Sequence, residues 1–289
     1  MKPAAFEYVR AASLAEALAA LDHDDAKVIA GGQSLVPMMN FRLAQPARLV
    51  DINAIPDLNR IEDAGTHVVI GALVRHAQAM CSDLLAARFP VVAEAMAHVA
   101  HLAIRNRGSI GGSLAHADPS AEWPLVVALL DGEIVVAGPD GERTAAAEDF
   151  FVAPLVTDLA EDEIVVAVRL PVPPAGCGMA FDEMSRRAGD FAIVSAGALV
   201  RVEGGAFAQV RLALGGVGDG PVRARAFEDA LVGKPATPQA IAGCLDFAVE
   251  DLEPESDLHA SAEYRLHLVG VLSGRVLERA LARASGSAS

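Results

Sequence analysis

The sequence predicts an α+β fold, a two-part N-terminal domain followed by a C-terminal antiparallel sheet with helices, and three observations carry that expectation. Up to residue 172, short apolar runs alternate with stretches of helical period. Pro171, Pro173 and Pro174 then interrupt the pattern, as a domain boundary would. Beyond them a glycine-turned pair of strand-like runs comes first and helix-period segments follow. The expected domains are residues 1–172, with subdomains 1–55 and 56–172, and residues 173–285; a chain of 289 residues suits two domains.

The first subdomain reads as strand, helix, strand, helix, strand. Ser13 and Glu16 form a capping box, and Leu14, Ala17, Leu18 and Leu21 share one helical face before the acidic run at 22–25 ends it. Residues 27–30 form a strand, 35–43 a helix or turn around Pro37, and 49–52 another strand, together a βαβ-type unit. The second subdomain opens on a strand at 68–70 and continues as an alanine-rich helix over 76–101 interrupted at Pro90. A helix over 120–130, a hairpin at 134–136 turning at 139–141, and a strand alternating Ile164, Val166 and Val168 complete it. In the last third, 193–202 and 207–214 flank Gly204 and Gly205 as a hairpin, and Thr237 with Pro238 starts a helix to Leu252. Ala262–Ala284 is a long amphipathic helix with Leu266, Val269, Leu272, Val276 and Leu281 on one face, and the tail 285–289 is expected to be disordered.

A net charge of −15 argues against nucleic acid or an anionic membrane as the main partner, because both reward clustered Lys and Arg. Hydrophobic residues make up 53%, yet no apolar run is long enough to span a bilayer without a charge or glycine break. No apolar stretch of signal-peptide type follows Lys2, so the expected location is cytoplasmic. Cys81, Cys177 and Cys244 are mutually isolated and form no CxxC, which fits neither a disulfide framework nor a local zinc or iron–sulfur site; each reads as a small buried hydrophobe.

The chemistry sits in two glycine-pair loops, AGGQSL at 30–35 and RNRGSIGGSLAHADPSAEWP at 105–124. Glycine takes positive φ and lets a ligand approach the main chain, so each loop can present successive N–H groups to an anion such as a diphosphate. Neither loop carries the Lys-Ser/Thr ending of a nucleoside triphosphatase loop or the GxGxxG fingerprint. The candidate donors are Ala30, Gly31, Gly32, Gln33, Ser34 and Leu35 in the first loop and Ser109, Ile110, Gly111, Gly112 and Ser113 in the second, with Arg105 and Arg107 as nearby positive charge. Asp118 and Glu122 follow at spacings that let carboxylates accept hydrogen bonds from sugar hydroxyls, whereas His116 reads as a backbone-satisfying histidine and not a general base.

These blocks, together with Phe41-Arg42-Leu43, Leu49-Val50-Asp51-Ile52, Asp162-Glu163-Ile164, Arg169-Leu170-Pro171, the run Arg186-Arg187-Ala188-Gly189-Asp190-Phe191 and Leu214-Gly215-Gly216-Val217, resemble the FAD-binding subunit of the molybdenum hydroxylases. That family includes the medium subunit of carbon monoxide dehydrogenases and the flavin segment of xanthine dehydrogenases, and the resemblance covers nearly the whole chain. It implies a PCMH-type FAD-binding domain, with FAD on this chain and both loops on its diphosphate and ribityl chain. It further implies a backbone contact from Ile164 to the adenine end and Phe191 packed near the flavin ring. Asp182 stands where xanthine dehydrogenases carry a lysine toward the flavin, and Arg186 or Arg187 can supply that charge instead.

The same resemblance implies an oxidoreductase of three components. Substrate is oxidised at a molybdenum cofactor on a large subunit, and electrons pass through two-iron two-sulfur clusters on a small subunit to FAD here and on to an external acceptor. The implied assembly is a dimer of heterotrimers, a heterohexamer, with no catalytic residue and no metal ligand on this chain. The alternative is a self-contained flavin reductase of the same fold using NAD(P)H, which needs basic substrate-binding residues and a proton donor that the last third does not evidently supply.

Overall fold

In the computed structural model, which describes residues 1–250 and 252–286, the first unit is a three-stranded parallel sheet in the order β1-β3-β2. Its elements are β1 (Glu7–Arg10), α1 (Leu14–Leu21), β2 (Ala26–Ile29), α2 (Leu35–Asn40) and β3 (Arg48–Asp51). The capping box starts α1: Ser13 Oγ accepts from the Glu16 N–H at 3.2 Å and Glu16 Oε2 from the Ala12 N–H at 2.8 Å. Ala17 and Leu21 then bury against Val50 and Ile52. Helix α2 stops earlier than residue 43 because Arg42 takes a φ of +60°.

The second unit is a five-stranded antiparallel sheet covered on one face by helices. It runs through β4 (Ile61–Asp63), β5 (His67–Gly71), α3 (His76–Met80), α4 (Asp83–Arg88), α5 (Pro90–His98), α6 (Leu102–Arg105), α7 (Ile110–His116) and α8 (Glu122–Leu129). There follow β6 (Glu133–Gly138), β7 (Gly141–Ala146), α9 (Ala147–Phe150), a small hairpin of β8 (Phe151–Ala153) and β9 (Val156–Thr157), and β10 (Ile164–Pro171), in sheet order β4-β5-β10-β6-β7.

Two expectations fail here for local reasons. The helical stretch over 76–101 breaks at Pro90 as expected, but it also breaks earlier, because the Ser82 side chain accepts from the Leu85 N–H at 3.3 Å and opens α4, so three helices replace two. In β10 the alternation is broken by a bulge between Val165 and Ala167. Ile164 and Val166 consequently face the first unit, while Val168 and Leu170 face the helices.

The last third holds β11 (Cys177–Ser185), β12 (Ala192–Glu203), β13 (Ala206–Gly215) and β14 (Val222–Arg223), antiparallel in chain order, with α10 (Arg225–Leu231), α11 (Pro238–Ala242), a 3₁₀ turn Leu245–Ala248 and α12 (Ala262–Ala284). Strand β11 was missed because it begins directly after the proline cluster. The helix expected over 237–252 ends at Ala242, where Gly243 follows, although Thr237 Oγ1 does cap its start at 3.2 Å from the Ala240 N; residues 251 and 287–289, in that helix and in the tail, lie outside the described residues. Helix α12 packs on one face of β11 and β12, and α5 and α8 pack on the other, where Met179, Phe181, Leu199 and Ala213 join the core around Trp123 and Phe89. This shared core holds the strand ends of the last sheet against the segment between α7 and α8. Among the described residues no helix is long and apolar enough to cross a membrane.

Candidate cofactor-binding site

Strand β2 runs straight into the first glycine loop, and that loop rests on the second. A Cβ at Gly31 would lie 2.3 Å from the Arg107 carbonyl oxygen and 2.8 Å from the Gly108 Cα, a backbone approach only glycine permits. Gly32 takes a φ of +70°. Within the described residues the N–H groups of Gly31, Gly32, Gln33, Ser34 and Leu35 have no hydrogen-bond partner, and Ser34 does not cap α2 with its side chain. Gln33 folds back so that its Nε2 donates to the Gly31 carbonyl at 2.8 Å. Ala30 anchors the loop, since its carbonyl accepts from Asn53 Nδ2 at 2.8 Å.

The second segment behaves differently from the expected open loop. Ser109 caps α7, its Oγ accepting from the Gly112 N–H at 3.3 Å, so residues 110–113 are the first turn of a helix. The Ile110 and Gly111 amides donate to the Val74 and Ala72 carbonyls at 3.0 and 2.9 Å, and the Ser113 amide donates to Ser109 at 3.0 Å. Ser109, Ile110 and Gly111 are buried, and a Cβ at Gly111 would meet Ala72 Cβ at 2.4 Å. They support the first loop instead of donating to a ligand, leaving exposed Gly112 and half-buried Ser113 as the outward face.

Arg75, which the sequence reading did not single out, ties the two segments together. Its Nη1 donates to the Arg107 carbonyl at 2.5 Å and its Nη2 to Asn53 Oδ1 at 2.6 Å, while Asn53 also donates to Asp51, which takes a hydrogen bond from the Tyr8 hydroxyl. Burial, then Arg107, lowers the Arg75 guanidinium from its ordinary value. Arg75 follows no local motif; only the folding of three separate segments onto one point reveals it. Arg105, by contrast, is consumed by the carbonyls of Ala97, Val99 and Ala100 at 3.3, 2.8 and 3.0 Å. Beneath Gly108 lies His76, whose Nδ1 accepts from Trp123 Nε1 at 3.0 Å; burial, with help from Arg75 and Arg105, pushes this imidazole down to about 4 and keeps it neutral.

After α7, Ala117 turns left-handed at a φ of +51° and leads into a turn in which Asp118 Oδ1 accepts from the Ser120 N–H at 2.9 Å. Glu122 opens α8, and burial, followed by the nearby Glu183, pushes its carboxyl up to about 8. This environment favours the protonated carboxyl, which can donate a hydrogen bond as well as accept one. The turn is clamped on the last sheet by the Gly216 N–H, which donates to Pro119 at 2.9 Å. Under it lie Glu183 and Ser195, cross-strand partners on β11 and β12. Glu183 Oε1 stands 3.4 Å from His98 Nδ1 and raises that imidazole. Asp182, the neighbouring residue on β11, instead stands 3.8 Å from Arg279 Nη1.

The remaining sequence-predicted residues scatter. The Ile164 side chain is buried in the core shared with the first unit, which leaves its backbone for any ligand. Phe191 is 66% exposed on the β11–β12 turn, where Arg186, Arg187 and Asp190 line a shallow cavity with His259. That turn leans on the segment before α6: a Cβ at Gly189 would meet the His101 ring at 2.6 Å. Of the cysteines only Cys244 is buried; Cys177 is partly exposed and Cys81, ending α3, is exposed.

Five successive free amides, a glycine wall at 31, 32 and 112, and the Arg75 charge fit the diphosphate of a dinucleotide cofactor. Comparison with known proteins identifies the family. Residues 4–173 match the family described as FAD binding domain in molybdopterin dehydrogenase, and residues 179–280 match the CO dehydrogenase flavoprotein C-terminal domain. The 6-hydroxypseudooxynicotine dehydrogenase complex subunit alpha of Paenarthrobacter nicotinovorans is 42% identical over 98% of this chain and 97% of its own length. The carbon monoxide dehydrogenase medium chain of Hydrogenophaga pseudoflava is 38% identical over 98% and 99%. Among solved structures, carbon monoxide dehydrogenase from Hydrogenophaga pseudoflava superposes with a TM-score of 0.95 at 40% identity, covering 98% of this chain and 99% of that one. Quinoline 2-oxidoreductase from Pseudomonas putida 86 gives 0.94 at 40%, covering 99% of both. The chain belongs to the FAD-binding medium subunits of the molybdopterin dehydrogenases, oxidoreductases built from several subunits.

Proposed function

We propose that this subunit holds FAD across the two glycine segments and relays electrons from two-iron two-sulfur clusters on a small subunit to an external acceptor, after substrate oxidation at a molybdenum cofactor on a large subunit. The observation that carries the reading is the row of five unpartnered amides, Gly31 to Leu35, set against the second segment by backbone contact. Bound FAD supplies the electron-carrying chemistry, and the chain supplies binding and orientation. In this reading the five amides bind the diphosphate, Arg75 offsets its charge, and Gly112 and Ser113 border the ribityl chain. Asp118 accepts from its hydroxyls, protonated Glu122 donates to them, the Ile164 backbone meets the adenine end, and Phe191 covers the ring from the β11–β12 turn. The chain contributes no catalytic side chain and no metal ligand. Relatives are named for carbon monoxide, caffeine and xanthine dehydrogenases, so substrate choice is assigned to the large subunit.

The test is purification from the native source with whatever accompanies the chain, followed by flavin, molybdenum and iron analysis. FAD, both metals and two further chains in equal amounts, at a mass fitting a dimer of heterotrimers, is the expected result. FAD on a solitary chain that oxidises NADPH would overturn it in favour of a self-contained reductase.

A further inference from the structure

The chain carries 38 carboxylates, yet Lys234 makes no ion pair among the described residues, and its Nζ instead donates to Cys244 Sγ at 3.2 Å. Cys244 is 0% exposed, and its sulfur makes one further contact, toward the Ala230 carbonyl at 3.8 Å. Lys234 is exposed, so this buried sulfur lies one side chain below solvent. Neither partner is free to drift. The Lys234 amide donates to the Leu231 carbonyl at 3.1 Å, its carbonyl accepts from the Phe207 N–H at 2.9 Å, and Pro235 pairs with Ala206 at the start of β13. Cys244 follows α11, its amide donates to the Ile241 carbonyl at 3.0 Å, and its side chain belongs to the core between the last sheet and α12. A nucleophilic nitrogen is thus held against a nucleophilic sulfur that the FAD reading does not use.

We propose that Cys244 and Lys234 form an oxidative modification site, at which hydrogen peroxide joins the sulfur to the lysine nitrogen as a sulfenamide. The Cys244 sulfur attacks peroxide: an S–O bond forms, the O–O bond breaks and one water leaves, giving the sulfenic acid. A sulfenic acid condenses with a neighbouring nitrogen, and here the nearest is Nζ, already in contact with Sγ. Once it has shed its extra proton to solvent, Nζ attacks sulfur; the S–N bond forms, the S–O bond breaks, and the hydroxyl departs as a second water with a proton from nitrogen. Sulfur loses two electrons and the peroxide oxygens gain them, so thiol, amine and peroxide give sulfenamide and two waters. The link ties the loop after α10 to the end of α11 across a separation of 10 residues.

The full chain treated with hydrogen peroxide, digested after arginine without reductant and mapped by mass spectrometry tests the assignment. Both residues fall in one peptide, 226–265, which holds no second cysteine, so no disulfide within it can mimic the link. That peptide should become two hydrogens lighter, yield no fragment ions from between positions 234 and 244, and return to its starting mass with dithiothreitol. Lys234→Arg should lack the mass loss and leave Cys244 as a sulfenic acid that a 1,3-dicarbonyl probe captures. Oxygen on Cys244 with Lys234 unlinked would overturn the assignment. So would a peptide 226–265 left unchanged while exposed Cys81 and partly exposed Cys177 are oxidised, or a mass loss that persists in Lys234→Arg. Should Lys234→Arg fail to fold, the fragment ions of the wild-type peptide decide alone. The FAD reading stands or falls separately, because neither residue belongs to that site.

Discussion

Gly31→Ala tests the contact on which the cofactor site is built. The added methyl would stand 2.3 Å from the Arg107 carbonyl oxygen, and the obstacle is backbone on both sides, so neither segment can yield by turning a side chain. Carbon–oxygen contacts settle at about 3.3 to 3.6 Å, which requires the loops to separate by roughly 1 Å. Overpacking of this kind costs about 1–3 kcal/mol, and the rigid obstacle argues for the upper end. For a chain of this size that lowers the melting temperature by roughly 4–10 °C. A displacement of the same size takes the five amides out of hydrogen-bonding range of a bound diphosphate, so FAD affinity should fall about a hundredfold. The assay pairs thermal unfolding of FAD-free chain with fluorescence titration by FAD, and Gly270→Ala serves as the control. Gly270 lies within α12 with nothing within 4 Å of an added Cβ, so that variant should gain up to about 1 kcal/mol and bind FAD normally. Wild-type melting and FAD affinity in Gly31→Ala would refute the contact between the loops.

Gly32→Asp adds a carboxylate beside the free amides at a φ of +70° and should abolish FAD retention in a folded chain, read from the flavin-to-protein ratio and circular dichroism. Gly111→Asp should instead lose the fold, because its side chain would enter Ala72, so the two variants separate site from scaffold. His76 is held neutral in the folded chain at about 4 against an ordinary 6.5, so its contribution is present above pH 6.5 and is lost as pH falls toward 4, a total of about 3 kcal/mol. Denaturant titrations of wild type and His76→Asn across that window should show the acid-side loss only in the wild type. Glu122 has the opposite sign: its folded value of about 8 against 4.5 means that stability declines as pH rises from 4.5 to 8. Glu122→Gln, measured on FAD-free chain, should match wild type at pH 4.5 and exceed it by about 3 kcal/mol at pH 7.

What the sequence revealed was mostly what local rules govern. The Ser13 box, the Thr237 cap and α12 from Ala262 to Ala284 each follow from a few neighbouring residues, and all three form. The first glycine loop was singled out on an equally local signal, a glycine pair directly after an apolar strand, and its amides from Gly31 to Leu35 are without partners among the described residues. The second was misread, since the sequence does not reveal that the Ile110 and Gly111 amides are taken up by the Val74 and Ala72 carbonyls, contributed by a distant segment. Arg75 and His76 were missed because each acquires its partners only when distant segments meet, Asn53 and Arg107 around the one and Trp123 of α8 on the other. The bulge in β10 likewise escaped, since Val166 and Val168 look equivalent in a plain alternation and end on opposite faces.

The core that runs from α5 and α8 into β11, β12 and β13 sets a limit on how this protein can be divided. Phe181, Met179, Leu199 and Ala213 are buried in a core made mostly of residues from the other side of the proline cluster at 171–174. Glu94 on α5 adds a second seam, accepting from the Phe181 N–H at 2.9 Å and pairing with Arg279 and Arg283 of α12. A fragment ending near residue 172 would expose a broad oily face and strand a carboxylate, so the stretches on either side of the prolines stabilise one another.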